Sequence, residues 1–141
     1  MQDPVASHVF RLLTTAAPER VWAALTCPLQ SRAYLHGLSV SSGWQAGGPV
    51  AFHPLCGPTL EGTVLRVDPG RRLVLTVEGG NGCCTYLDWQ LRRSERGTVV
   101  RLKVDETGTA SSSEEELEDV WLPVLHDLDV VLRREADPTH P

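Results

Sequence analysis

Thr85-Tyr86-Leu87-Asp88-Trp89-Gln90-Leu91-Arg92, a reversal at Ser94-Glu95-Arg96-Gly97, and Thr98-Val99-Val100-Arg101-Leu102-Lys103-Val104-Asp105 form the stretch that decides the fold. Successive side chains of a strand point to opposite faces. Leu87, Trp89 and Leu91 therefore share one face, with Tyr86, Asp88, Gln90 and Arg92 on the other. Val100, Leu102 and Val104 likewise oppose Val99, Arg101, Lys103 and Asp105. Alternation over short reversals predicts an antiparallel sheet with one covered and one wet face, because parallel strands buried on both sides read as continuous apolar runs.

The period of two continues upstream. Leu73, Leu75 and Val77 share a face within residues 72–78, which lie between the tight turn Asp68-Pro69-Gly70-Arg71 and the reversal Gly79-Gly80-Asn81-Gly82. In the first of these, proline presets one turn angle and glycine supplies the other. Residues 60–67 form another strand after Gly57-Pro58. Before it, Val50 and Phe52 follow the turn Gly47-Gly48-Pro49, and Val40, Ser42 and Trp44 alternate with Ser39, Ser41 and Gly43. Residues 8–14 make the first strand, with Phe10 and Leu12 on one side. Seven strands are expected. Between the first and second, Pro18 opens a helix carrying Val21, Trp22, Ala24 and Leu25 at helical spacing. Pro28 stops it, and a short helix over residues 29–35 ends before Gly37.

The apolar face of the sheet needs a cover, and residues 113–135 supply it. Ser111-Ser112-Ser113 and three glutamates stand at the start, where a helix favours caps and negative charge. At 100° per residue Leu117, Trp121, Val124, Leu125, Leu128, Val131 and Leu132 fall on one stripe. Pro123 falls on the outer side and predicts a kink between Asp119 and Pro123. Residues 1–136 read as a single α+β domain, with 137–141 a frayed tail.

Composition narrows the function classes. Thirteen basic and eighteen acidic residues give a net charge of −5. This disfavours nucleic acid or an anionic membrane surface as an electrostatic partner, while leaving room for a local basic patch. The arginine doublets Arg71-Arg72, Arg92-Arg93 and Arg133-Arg134 read as solvated element ends. No run approaches the ~18 apolar residues of a membrane helix. Met1-Gln2-Asp3-Pro4 opens no secretory signal, so a cytoplasmic location is expected. Cys27, Cys56, Cys83 and Cys84 lack C-x-x-C spacing and read as free thiols. Five scattered histidines give no metal-ligand pattern, so no metal and no cofactor are expected.

A family resemblance is carried by five segments in order: Pro18-Glu19-Arg20-Val21-Trp22-Ala23-Ala24-Leu25-Thr26; Gly47-Gly48-Pro49-Val50; residues 61–69 with Arg71-Arg72-Leu73-Val74; Asp88-Trp89-Gln90-Leu91 with Gly97-Thr98; and Trp121-Leu122-Pro123-Val124-Leu125 with Leu128. Together they resemble the activator of heat-shock-protein-90 ATPase homologue-like family of the START-related, polyketide-cyclase-like superfamily. The resemblance implies a helix-grip fold, a curved sheet gripping a long C-terminal helix around an apolar cavity. It implies no one activity, since members include lipid and hormone binders, aromatase/cyclases and stress proteins. The chaperone co-factor that names the family has a further N-terminal domain, so ATPase activation is not expected.

A functional cavity would be lined by Trp121, Leu125 and Leu128 of the helix and by Trp89, Leu87, Phe52 and Trp44 of the strands, with Tyr34 and His36 near its mouth. The occupant expected is a small hydrophobic or aromatic molecule. Two alternatives stay open: a cofactor-independent cyclase, dehydratase or hydrolase in the same cavity, and a co-chaperone-like interaction module. For the enzyme, no G-x-S-x-G elbow or phosphate cradle is present. His36 is the acid–base candidate, because Tyr86, Asp88 and His53 fall on the wet face. For the module, Trp22 and Val130 would form an apolar patch if exposed together. The chain is expected to be a monomer or homodimer.

Overall fold

The structure, a computed structural model, describes residues 6–78, 84–107 and 114–135. The reversal Gly79 to Gly82, Cys83, the serine cap at 111–113 and the tail at 137–141 lie outside the described residues. The elements are β1 (Ala6–Thr14), α1 (Pro18–Thr26), α2 (Pro28–Tyr34), β2 (Ser39–Ser42), β3 (Pro49–His53), β4 (Leu60–Asp68), β5 (Arg72–Glu78), β6 (Cys84–Ser94), β7 (Gly97–Thr107) and α3 (Glu114–Glu135). All neighbouring strands are antiparallel, in the order β1-β7-β6-β5-β4-β3-β2. Strands two to seven thus form a meander, and β1 returns to pair with the last of them. This is the helix-grip arrangement.

The inner face carries the alternation read from the sequence. Leu73, Leu75, Leu87, Trp89, Leu91, Val100, Leu102 and Val104 are all buried. Against them α3 buries Leu117, Val124, Leu125, Leu128, Val131 and Leu132, each fully buried aliphatic side chain being worth roughly 1.5–3 kcal/mol. The helix packs chiefly on β1 and α2. It stays helical from Glu114 to Glu135 with the exposed Pro123 inside it.

Two irregularities shape the sheet. The β4–β5 register shifts between Val64 and Arg66, leaving Leu65 as a bulge that bends the strand. Just before it, the Thr63 N–H donates to Thr76 Oγ1 at 2.9 Å. There the β5 backbone comes so close to Gly62 that a Cβ would lie 1.7 Å from the Thr76 carbonyl oxygen.

The helices α1 and α2 are set by their prolines. Pro28 ends the first and also opens the second, as the first-turn residue whose missing N–H costs nothing. The second helix therefore starts one residue earlier than its apolar pattern suggests. Ser31, fully buried, donates to the Pro28 carbonyl at 3.0 Å and accepts the Val40 N–H at 2.8 Å, tying α2 to β2. Trp22 and Val130 are both half-buried, so neither is the exposed group that an apolar patch there would require.

Tyr34 is locked inside, 1% exposed, its hydroxyl donating to the Ala24 carbonyl at 2.7 Å. Burial pushes that hydroxyl far above its ordinary pKa, with Cys27 adding to the effect. The unfolded chain loses this proton near pH 10 while the folded chain keeps it. The contribution of Tyr34 to stability is therefore constant below about pH 10 and falls by about 1.4 kcal/mol per pH unit above it. Urea midpoints measured between about pH 10 and pH 11 should show this slope, and Tyr34→Phe should lose it; an equal slope in both proteins would contradict the assignment.

Candidate functional site

Between the first half of α3 and the sheet lies an apolar cavity of about 180 Å³. Its floor comes from inner-face positions on four adjacent strands. Phe52 of β3 stands opposite Leu60 of β4, and Val77 of β5 opposite Thr85 of β6, with Leu87 two residues on. Val120 and Trp121 of α3 form the roof, and Leu35, His36 and Leu38 of the α2–β2 connection close one side. Pockets for drug-sized ligands usually span roughly 300–1,000 Å³. An apolar cavity of about 150 Å³ accommodates benzene, so this one has room for a molecule of about one aromatic ring.

His36 holds the connection against the helix. Its Nε2 lies 2.8 Å from the Val120 carbonyl oxygen. A carbonyl only accepts, so Nε2 carries the proton in this bond. The residue has a φ of 53° and is followed by Gly37 at 83°, two successive left-handed conformations that let the chain turn out of α2 and present the imidazole to α3. Pro123 sits in the same stretch of α3 and, lacking an N–H, leaves the Asp119 carbonyl without its helical donor.

The expected lining residues separate into two groups. Trp121, Leu87, Phe52 and His36 meet around the cavity. Leu125, Leu128 and Trp89 are buried in the core beyond it, at 4%, 0% and 3% exposure. Tyr34 is not at the mouth, because its hydrogen bond to Ala24 holds it inside. Trp44 lies just past the end of β2 with a left-handed φ of 53°, its N–H bonded to Ser42 Oγ at 3.0 Å, and does not reach the cavity. Alternation placed Val77 on the inner face. That Val77, Thr85, Leu60 and Val120 line a void instead of filling the core depends on the bend of the sheet, which alternation does not encode.

Polar groups fringe this space. His8, opposite Val104 on the inner face, meets the Phe10 ring at a tilt of 58° with centroids 4.6 Å apart, and lies 3.9 Å from Glu118 of α3. Glu106, opposite Thr85, has its Oε1 buried with no hydrogen-bond partner among the described residues. On the wet face, Tyr86 and His53 are exposed as expected. Asp88 is more covered than its position suggests, because Arg72 clasps it with bonds of 3.0 and 2.7 Å. Among the described residues, no three His, Cys, Asp or Glu side chains group as a metal site requires. No helix there is long and apolar enough to cross a membrane.

The family described as Activator of Hsp90 ATPase homolog 1-like protein matches residues 15–133. Among solved structures, MLL2253 from Mesorhizobium loti superposes with a TM-score of 0.77 at 20% identity, covering 94% of this chain and 99% of the other. A protein from Rhodobacter sphaeroides gives 0.72 at 26% identity, over 93% and 94%. DynU16, from the dynemicin biosynthetic locus, gives 0.79 at 20% identity, over 92% of this chain and 48% of that one. Among curated protein sequences none matches.

Proposed function

We propose that this chain, which belongs to the activator of Hsp90 ATPase homolog 1-like family, binds a small hydrophobic molecule of about one aromatic ring between α3 and the sheet. The observation that carries this reading is the cavity itself: about 180 Å³, apolar walls, and a single imidazole at the side. An interior otherwise packed to crystal-like density keeps few voids larger than a water molecule. Shape and apolar burial would supply affinity. His36 would choose between ligands, since it can leave Val120 to hydrogen-bond a polar substituent. Sequestration or delivery is the activity that follows.

Thermal unfolding with indole as probe tests this. A ligand at 100 times its Kd stabilises the folded state by about 2.7 kcal/mol, so a rise in Tm of several degrees is expected. Val77→Phe, which fills the void from a half-buried position, should abolish that rise while keeping the fold. The reading fails if neither indole nor phenol shifts the melt, or if Val77→Phe responds like the parent.

The second reading, an enzyme in the same cavity, is favoured by one observation, the orphaned Glu106 oxygen beside Thr85. A carboxylate there could take a proton from a substrate. Loss of turnover in Glu106→Gln with unchanged indole binding would move this reading to first place.

A further inference from the structure

The arginines that lie apart in the sequence converge on the outer face of the sheet. Strand register places Arg11 directly opposite Arg101, Arg101 opposite Gln90, and Gln90 opposite Arg72, a single row across four strands. With Arg71 and Arg92 they line a hollow of about 560 Å³ that has Asp68 at one side. A second hollow of about 520 Å³ shares Arg71 and Arg92 and continues past Arg93 to Pro18 and Glu19 at the start of α1. Of these cations, Arg72 is held by Asp88, and Arg93 bonds Glu19 at 3.0 and 2.9 Å. Arg11, Arg71, Arg92 and Arg101 have no side-chain hydrogen bond or ion pair among the described residues. Like charges placed directly opposite in a sheet repel. Four guanidinium groups without an ion-pair partner on one surface, in a protein of net charge −5, make that surface complementary to an external anion.

We infer that this face is a docking groove for an acidic, extended segment of a partner protein. The shape of the charge favours that occupant over a compact anion. Strands lie about 4.8 Å apart, so Arg11 and Arg72 stand about 14 Å from each other, spread along an open trough instead of closing on one point. Carboxylates on one side of an extended chain recur about every 6.6 Å, so three of them span about 13 Å, close to the length of the row. This inference is independent of the apolar cavity on the inner face.

The test is fluorescence anisotropy with a labelled peptide of about ten residues alternating Glu and Thr, and the same peptide with Gln for Glu as control. Saturable binding of the Glu peptide alone is expected. Its affinity should drop at least tenfold between about 50 mM and about 500 mM NaCl, as the screening length shrinks. The exposed pair Arg11→Glu and Arg92→Glu should remove binding by at least tenfold with an unchanged melting curve. The milder pair Arg11→Gln and Arg92→Gln should weaken it, and Arg133→Glu with Arg134→Glu on α3 should leave it intact. Failure to bind the Glu peptide, equal binding to the Gln peptide, or indifference to the Arg11 and Arg92 changes would overturn the inference. So would tighter binding of pyrophosphate or of a single-stranded DNA oligonucleotide at the same arginines.

Discussion

Gly97→Ala is expected to cost more than about 3 kcal/mol, out of the roughly 5–15 kcal/mol that stabilises a domain of ordinary size. Two separate penalties meet at this residue. Its φ of 145° lies where side-chain-bearing residues are strained, by about 1–3 kcal/mol. A Cβ there would also lie 2.1 Å from the Thr14 carbonyl oxygen and 2.7 Å from the Thr15 backbone. Neither atom belongs to a side chain that can swing away, so β1 and β7 must part, at about 1–3 kcal/mol or more. The same junction holds Thr98, fully buried, whose hydroxyl donates to the Ala16 carbonyl at 2.7 Å. Gly47→Ala separates the two effects, since Gly47 has a φ of 87° with nothing within 4 Å; it should cost only about 1–2 kcal/mol. Equal urea midpoints for the two variants would mean that the strand crossing is looser than described.

Leu128→Ala should cost about 2–5 kcal/mol. Leu128 is fully buried in the stripe by which α3 grips the sheet, with Leu125 and Leu132 on the same face. Removing three carbons loses their transfer energy and leaves a void that a helix held by buried neighbours on both sides cannot collapse to fill. Leu122→Ala, six residues earlier on the same helix and 52% exposed, is the matched comparison and should change stability by no more than about 0.5 kcal/mol. A Leu128 variant that melts with the parent would show that α3 is not a principal source of the core.

Much of the architecture was legible because strands report their faces with a period of two. Leu73 to Val77, Leu87 to Leu91 and Val100 to Val104 need no tertiary information to be placed inward, and the stripe from Leu117 to Leu132 needs only the period of a helix. The candidate site was legible in part. Trp121, Leu87, Phe52 and His36 come together, whereas Leu125, Leu128 and Trp89 lie deeper, and face assignment does not distinguish a core position from a cavity wall. That difference depends on how the strands curve, and features such as the bulge at Leu65 and the close approach at Gly62 bend a strand without leaving a mark in the alternation. Tyr34 and Trp44 were misplaced for local reasons, a buried hydroxyl bond and a left-handed backbone. The arginine row was invisible for a different reason. Arg11 and Arg101 are ninety residues apart, and only the pairing register brings them face to face.

The return of β1 to the far end of the meander also orders events in time. Each pairing from β2 to β7 joins strands that follow one another along the chain, and so can form as synthesis proceeds. β1 must wait, because Thr14 pairs with Thr98 and Ala6 with Glu106. Contacts so distant in sequence are slow to close. During translation β1 therefore stays without its strand partner until residue 107 has left the ribosome, and α3, which packs on β1, follows later still.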